Sequence, residues 1–275
     1  MMNLRKIVGI IAVIAILGFV FLSCEEEEKT SFGTTLKLSD QVWTQKTLTN
    51  AESMALYAQY LSFIEAKNWS AAVKFYNDNT KEDLVKYEGA KAFDVDGNTG
   101  TITGGKLNFE MGAPAEALLK DITVYAASMM INNYTSFLPD KTDVKIYILD
   151  DFNFGSGDYS DLSQSKSEGS LKLSGSTITE KRTSSYVDYV YVTDNVKFTV
   201  VGKENKGTNS TYKTNDYTLS LKKGWNSVTI TTVMEGTGPV EDYYGEEEEQ
   251  KYTYTTSVKA GSTGKWIFSS YSNED

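Results

Sequence analysis

Residues 94–99, Asp-Val-Asp-Gly-Asn-Thr, place oxygen-bearing side chains at alternate positions, as a hard cation requires. Asp94, Asp96 and Asn98 are therefore the metal-ligand candidates. A full calcium loop also needs glycine at its sixth position and glutamate at its twelfth. The chain has Thr99 and Gly105 there, so a turn between two strands is the stronger expectation. Gly202 to Gly207-Thr208 copies half of a phosphate loop, but the lysine after the second glycine is missing. A hairpin loop is expected instead. Paired carboxylates at Asp150-Asp151 and Glu241-Asp242 raise glycoside hydrolysis, which depends on a separation across a cleft. Adjacent strand residues face opposite ways, so Asp150 and Asp151 would not cooperate on a strand. Trp43, Trp69, Trp225 and Trp266 lie within or beside alternating apolar runs, where core burial outweighs sugar stacking. The chain has no histidine and one cysteine. That removes the commonest general base, the histidine-dependent triads and the usual zinc or copper sites. No catalytic residue and no cofactor are assigned.

Ser163-Gln-Ser-Lys166, Thr193-Asp194-Asn195 and Lys213-Thr214-Asn215 echo, in order, the motifs of penicillin-recognising serine enzymes. That chemistry needs the serine at a helix start. Ser163 stands in a serine-rich tract without apolar periodicity, and the third motif lacks its glycine, so the echo is rejected.

The cysteine has a clearer use. Arg5 and Lys6 precede an apolar run over residues 7–22, then Ser23, Cys24 and four glutamates. This is the layout of a secretory signal. Sixteen apolar residues are short of the roughly 20 that span a bilayer. Phe21-Leu22-Ser23-Cys24 resembles the lipoprotein signal Leu-small-small-Cys, in its looser form. The resemblance implies that the Cys24 thiol carries a diacylglyceryl group and that palmitate labels it. Two or three acyl chains hold stably, where one holds marginally. The glutamate run is read as a solvated tether on the translocated side.

Beyond the signal the charge is acidic. Of 27 basic residues the signal carries two, and it carries none of the 37 acidic ones, so residues 24–275 have net charge −12. Such a surface repels phosphate backbones, so nucleic acid is excluded as a partner. Anionic headgroups are repelled too, which leaves the lipid on Cys24 as the membrane contact.

The elements that must position any site are mostly strands. Tyrosine and threonine are abundant and proline is scarce, with three. Period-two alternation marks Leu36 and Leu38, then Val42. It continues through Ile102 and Leu107 around Gly104-Gly105, and through Val144, Ile146 and Ile148. Residues 186–192 and 196–200, 219–221 and 225–233, 252–258 and 266–268 follow suit. Residues 51–67 carry apolar side chains at three- and four-residue steps, and residues 114–131 open on Pro114 with Glu116 in the first turn, so both read as helices. Residues 156–185 are rich in serine and poor in large apolar side chains, and read as a loop or linker. Residues 246–249, four glutamates, read as a hairpin tip.

The order of six stretches carries a family resemblance. They are Leu38-Ser-Asp-Gln-Val-Trp43, Gly100-Thr-Ile-Thr-Gly-Gly-Lys-Leu-Asn-Phe109, Tyr189-Val-Tyr-Val192, Tyr212-Lys-Thr-Asn-Asp216, Leu221-Lys-Lys-Gly-Trp-Asn226 and Lys265-Trp266. Together they resemble exported lipoproteins of treponemes and other spirochaetes. The resemblance implies an envelope location and a β-rich body. It implies no activity and supplies no site residues.

The sequence thus predicts an all-β to mainly β fold, an antiparallel β-sandwich with one or two short helices behind an N-terminal signal segment. The expected divisions are a signal peptide over 1–23 and an acidic tether over 24–32. A β-rich half over 33–155, a Ser-rich loop or linker over 156–185 and a second β half over 186–275 follow. The sandwich is one large unit or two similar halves. The expected role is a lipid-anchored, non-enzymatic binding module of the bacterial cell envelope, in the outer membrane at its periplasmic or surface face. Its ligand would be a glycan or a protein. A coat protein without a ligand and a carboxylate-based glycoside hydrolase are the alternatives.

Overall fold

The computed structural model describes residues 31–79, 83–123, 134–149, 151–155, 160–240 and 251–270. The first strands are β1 (Ser31–Gly33), β2 (Leu36–Leu38) and β3 (Val42–Gln45). Helices α1 (Asn50–Glu65) and α2 (Trp69–Asn79) come next. Then follow β4 (Leu84–Lys86), β5 (Lys91–Val95), β6 (Asn98–Thr103), β7 (Lys106–Met111) and β8 (Lys120–Asp121). Strands β9 (Tyr134–Pro139) and β10 (Lys145–Ile148) precede two long ones, β11 (Ser160–Ser174) and β12 (Thr177–Val192). The chain continues through β13 (Val196–Gly202), β14 (Glu204–Lys206), β15 (Ser210–Thr214) and β16 (Tyr217–Leu221). Strands β17 (Gly224–Pro239), β18 (Lys251–Ala260) and β19 (Lys265–Ser270) complete it.

These strands form one large sheet and two small ones. The large sheet runs β14-β15-β18-β17-β12-β11-β19-β3-β4, with β1 on β17 and β10 on β12. The small sheets run β2-β7-β6-β5 and β16-β13-β9. Each covers one face of the large sheet at the same end. The stretch Tyr189-Val-Tyr-Val192 shows why. Successive strand side chains point to opposite faces, and all four are buried. Tyr189 and Tyr191 join Leu36, Leu107, Phe109 and Trp225 in one core cluster. Val190 and Val192 join Phe198, Leu219, Val228 and Ile230 in the other. A strand buried on both faces loses polar alternation and reads as a continuous apolar run. The fold is mainly β and sandwich-like, with two helices among the described residues, as the residue pattern predicts.

Helix α1 starts where its sequence says it should. Thr49 Oγ1 accepts from Glu52 N at 3.2 Å, and Glu52 Oε2 accepts from Thr49 N at 2.8 Å. This reciprocal cap is worth about 1 kcal/mol. These bonds, with the backbone one foremost, hold the Glu52 carboxyl below its ordinary range. Helix α2 falls in a stretch where no helix is predicted. It docks on the far half of the large sheet through Val73 and Tyr76 against Leu171, Ile178 and Val240. Asn77 grips the strand beneath, donating to Leu171 O at 2.9 Å and accepting from Leu171 N at 2.8 Å. Its amide takes the place of a neighbouring strand.

Three expectations are corrected. Residues 156–185 are not a loop, because residues 160–174 and 177–192 form the β11–β12 hairpin. Their low apolar content has a physical cause, since the middle of this ribbon is only half-buried. Nor does this stretch divide two halves. Strands β3 and β4 lie beside β19 in the large sheet, and the cluster around Trp225 draws on residues from 36 to 268. Finally, residues 114–121 are no helix. Glu116–Leu118 is one 3-10 turn, followed by β8. Residues 122 and 123 of that expectation are helical, and residues 124–131 lie outside the described residues. Residues 36–39 and 171–174 share the sequence Leu-Lys-Leu-Ser, but β2 pairs with β7 while β11 pairs with β12 and β19, so the match marks no structural repeat.

Candidate functional site

Asp94, Asp96 and Asn98 sit at the β5–β6 hairpin. Asp96 and Gly97 both have positive φ, 49° and 78°, the backbone of a two-residue Asp-Gly turn matched to strand twist. Asp94 Oδ1 accepts from Gly97 N at 2.9 Å, and Asn98 Nδ2 donates to Val95 O at 3.2 Å. Asp96 Oδ2 accepts from the Tyr147 hydroxyl. The oxygens that a cation would use shape and anchor the turn. Among the described residues no three carboxylate, histidine or cysteine side chains gather to hold a metal.

The other sequence candidates disperse. Ser163 lies within β11 and not at a helix start. The expected loop over residues 202–208 is largely strand: it runs from the end of β13 through β14, which pairs with β15, to the turn at Gly207, with no helix behind it. Trp225 and Trp266 are core residues, and Trp69 packs beside the α2 cluster. Trp43 is half-buried, with Lys265 Nζ 4.3 Å from its ring centre. Asp151 is close enough to Asp161 to raise its carboxyl pKa, a smaller cause than Asp161's own burial. Cys24, Asp150, Glu241, Asp242 and the glutamates at 246–249 lie outside the described residues. Two surface depressions, about 280 Å³ beside Gly202 and Asp216 and about 480 Å³ beside Pro114 and Lys145, mark the described surface.

Registry across the large sheet assembles a surface that sequence reasoning missed. Facing residues in paired strands share a side. One row reads Gly169, Arg182, Met234, Tyr254, Tyr212 across β11, β12, β17, β18 and β15. The next reads Ser167, Ser184, Thr232, Thr256, Thr214. Ser165 and Tyr186 begin a third, which then passes under the small sheet at Ile230 and Val258. This strip lies between the α2 layer and the β16-β13-β9 layer. Five strands at about 4.8 Å spacing make it roughly 20 Å across.

Its chemistry is consistent along its length. Ser167 and Ser184 hydroxyls stand 3.1 Å apart, and Thr232 and Thr256 hydroxyls 3.4 Å apart. The Tyr212 and Tyr254 rings stack at 4.9 Å and within 10° of parallel. The Tyr252 ring lies over Gly236, where a Cβ would come within 2.7 Å of it. Tyr212 is 47% exposed. Burial, with Tyr212 next, raises the Tyr254 hydroxyl pKa. Arg182 is the cation of the strip, and its Nε donates to the buried Glu180 carboxylate, which also accepts from the Tyr76 hydroxyl at 3.4 Å. The reverse face is different. It carries ion pairs, Lys181–Glu235 at 2.8 Å and Lys166–Glu168 at 3.2 Å.

Asp188 stands at the edge of this strip, on the same side as Tyr186 and Val190 and facing Val228. Burial pushes its pKa up to about 6. Burial, with Asp188 next, pushes the Tyr186 hydroxyl up to about 12. The Asp188 pKa is raised on folding, so the folded state binds the proton more tightly than the unfolded one. The stabilisation from this proton is full below about pH 4 and is lost as pH rises through about 6. Asp188→Asn is therefore expected to raise stability on the order of 2 kcal/mol near pH 8 and to change it little near pH 4. Urea denaturation at the two pH values measures it. An equal gain at both would show that the carboxylate's charge is not responsible.

No protein-family model matches the chain, and neither the curated proteins nor the solved structures yield a significant match.

Proposed function

We propose that the protein is a lipid-anchored lipoprotein of a bacterial envelope whose β-sandwich body is a non-enzymatic binding module. The observation that carries the anchor is the position of the sole cysteine. Cys24 follows a basic start and a 16-residue apolar run and precedes four glutamates. The resemblance to exported spirochaetal lipoproteins supports the same location. Among the described residues no helix is long and apolar enough to cross a membrane, which is compatible with attachment by lipid. From Cys24 to Ser31 the chain reaches at most about 25 Å, so the body would ride close to the headgroups. Binding is supported by the hydroxyl and tyrosine strip. It is presented on rigid strands, and its one guanidinium is paired.

The test is metabolic labelling with palmitate. Wild type is expected to incorporate label and to fractionate with membranes, and Cys24→Ala to do neither. Equal labelling of both proteins would remove the anchor.

A further inference from the structure

We infer that the strip centred on Tyr212, Tyr254 and the Ser167–Ser184–Thr232–Thr256 row binds an uncharged polysaccharide strand. This deepens the proposed binding role and rests on it for the class of protein, though not on the anchor.

Charge decides first between occupants. The body is acidic, with net charge −10 for the whole chain. A polyanion would be repelled by that field. A polycation would find its counter-charges elsewhere, because Glu180 is buried and already engaged by Arg182 and Tyr76, and Asp188 at the strip's edge is largely withdrawn from solvent. Polar character decides next. A protein partner would use tyrosine, arginine and methionine as anchors, but here Arg182 is already bound to Glu180, and the neighbouring row is serine and threonine, which such anchor sites disfavour. Between its two covered ends the strip offers Met234 as its large aliphatic side chain, and hydroxyls fill the neighbouring row. What remains is a partner with its own hydroxyls and its own C–H faces. Serine and threonine hydroxyls both donate and accept, so they match sugar hydroxyls without a fixed polarity. Aromatic rings offer flat faces to the C–H side of a sugar ring. The reverse face has hydroxyls of its own, Ser185 and Thr231 at 2.8 Å, but they stand among the Lys181–Glu235 and Lys166–Glu168 ion pairs and without the tyrosines, so the full combination belongs to one side.

Rigidity supports the assignment. Tyr212 and Tyr254 come from β15 and β18, paired in parallel with register Tyr212↔Tyr254. Tyr252 is pinned over Gly236. Aromatic side chains fixed before binding lose little freedom on it.

The probe is native-gel retardation of the full-length protein in detergent, with dextran, mannan or soluble β-glucan cast in the gel and heparin as the anionic comparison. At least one neutral polymer is expected to retard wild type, with the same strength at low and high salt. Tyr212→Ala is expected to weaken retardation roughly five- to tenfold and Tyr212→Phe to restore it. Leu138→Ala, exposed on β9 and away from the strip, should match wild type. Retardation by heparin alone, by none of the polymers, or undiminished in Tyr212→Ala would overturn the inference. A dimer that Tyr212→Ala dissolves would assign the strip to a second copy and overturn it as well. Palmitate labelling reports separately on Cys24, so loss of one result leaves the other legible.

Discussion

Trp225→Ala is expected to lower stability by about 4 kcal/mol, in the range for emptying a fully buried aromatic site. Trp225 is 0% exposed. Its ring meets Tyr147 edge-on at 5.7 Å and Tyr191 at 5.6 Å, and its indole N–H donates to Gly112 O at 2.9 Å. It also sits in register with Gly33 on one side and Tyr191 on the other. One side chain therefore ties β1, β10, β12 and the segment after β7. Collapse around the cavity is restricted because each neighbour is held by its own strand pairing. Trp225→Phe keeps much of the ring contact and leaves the Gly112 carbonyl without its donor, which should cost about 1–2 kcal/mol. Urea unfolding of the two variants separates packing from the hydrogen bond. A loss under about 2 kcal/mol for the alanine variant would mean that the site refills.

Gly202→Ala should cost about 3 kcal/mol by a different mechanism, overpacking against backbone. A Cβ at Gly202 would lie 1.8 Å from Thr214 O and 2.6 Å from Thr214 C. Neither atom can swing aside as a side chain could. Gly202 ends β13 in a small sheet, and Thr214 ends β15 in the large one. The two strands cross here while Gly202 N donates to Asp216 Oδ1 at 2.8 Å and Thr214 N to Lys203 O at 3.0 Å. Pushing them apart must loosen β13 on β9 or β15 on β18. Hydrogen exchange should show lost protection at residues 210–214 together with the stability loss. Unchanged protection and a loss below about 1 kcal/mol would refute the crossing as a tight contact.

The class of the fold was legible because much of the core alternates. Ile102, Leu107, Phe109 and Met111 are each buried, as period two requires. Helix α1 was legible from its three- and four-residue spacing. The polar breaks after Val192 and Leu221 carry turn residues, but nothing local names the partners of the strands they join. Asp194-Asn195 and Lys222-Lys223 look like hairpin turns, yet β12 and β13, like β16 and β17, belong to different sheets. Local residues set a reversal; only distant contacts decide whether the chain rejoins its own sheet or changes layer. Asn195 and Asn226 carry these corners, accepting from Lys223 N at 2.8 Å and Lys222 N at 3.0 Å.

The strip itself was hidden for two reasons. Residues 160–185 lack the apolar signal because the ribbon's middle has no layer over it, so the criterion that finds half-buried strands passes over it. The Tyr212–Tyr254 stack depends on a parallel pairing between residues far apart in the chain. Alternation in Ser210-Thr-Tyr-Lys-Thr and in Tyr252-Thr-Tyr-Thr-Thr names each strand, but nothing local names the pairing. The proposed anchor residue is the reverse case, since Cys24 is conspicuous in sequence and lies outside the described residues.

Strand β19 occupies the slot between β11 and β3, antiparallel to one and parallel to the other. Its arrival therefore sets the folding schedule. Until residues 265–270 emerge, β3 and β4 have no route into the large sheet, and Trp266 is missing from the core. Joining the first strands of the large sheet to the rest is therefore a closure across more than 200 residues, the kind of contact that slows folding.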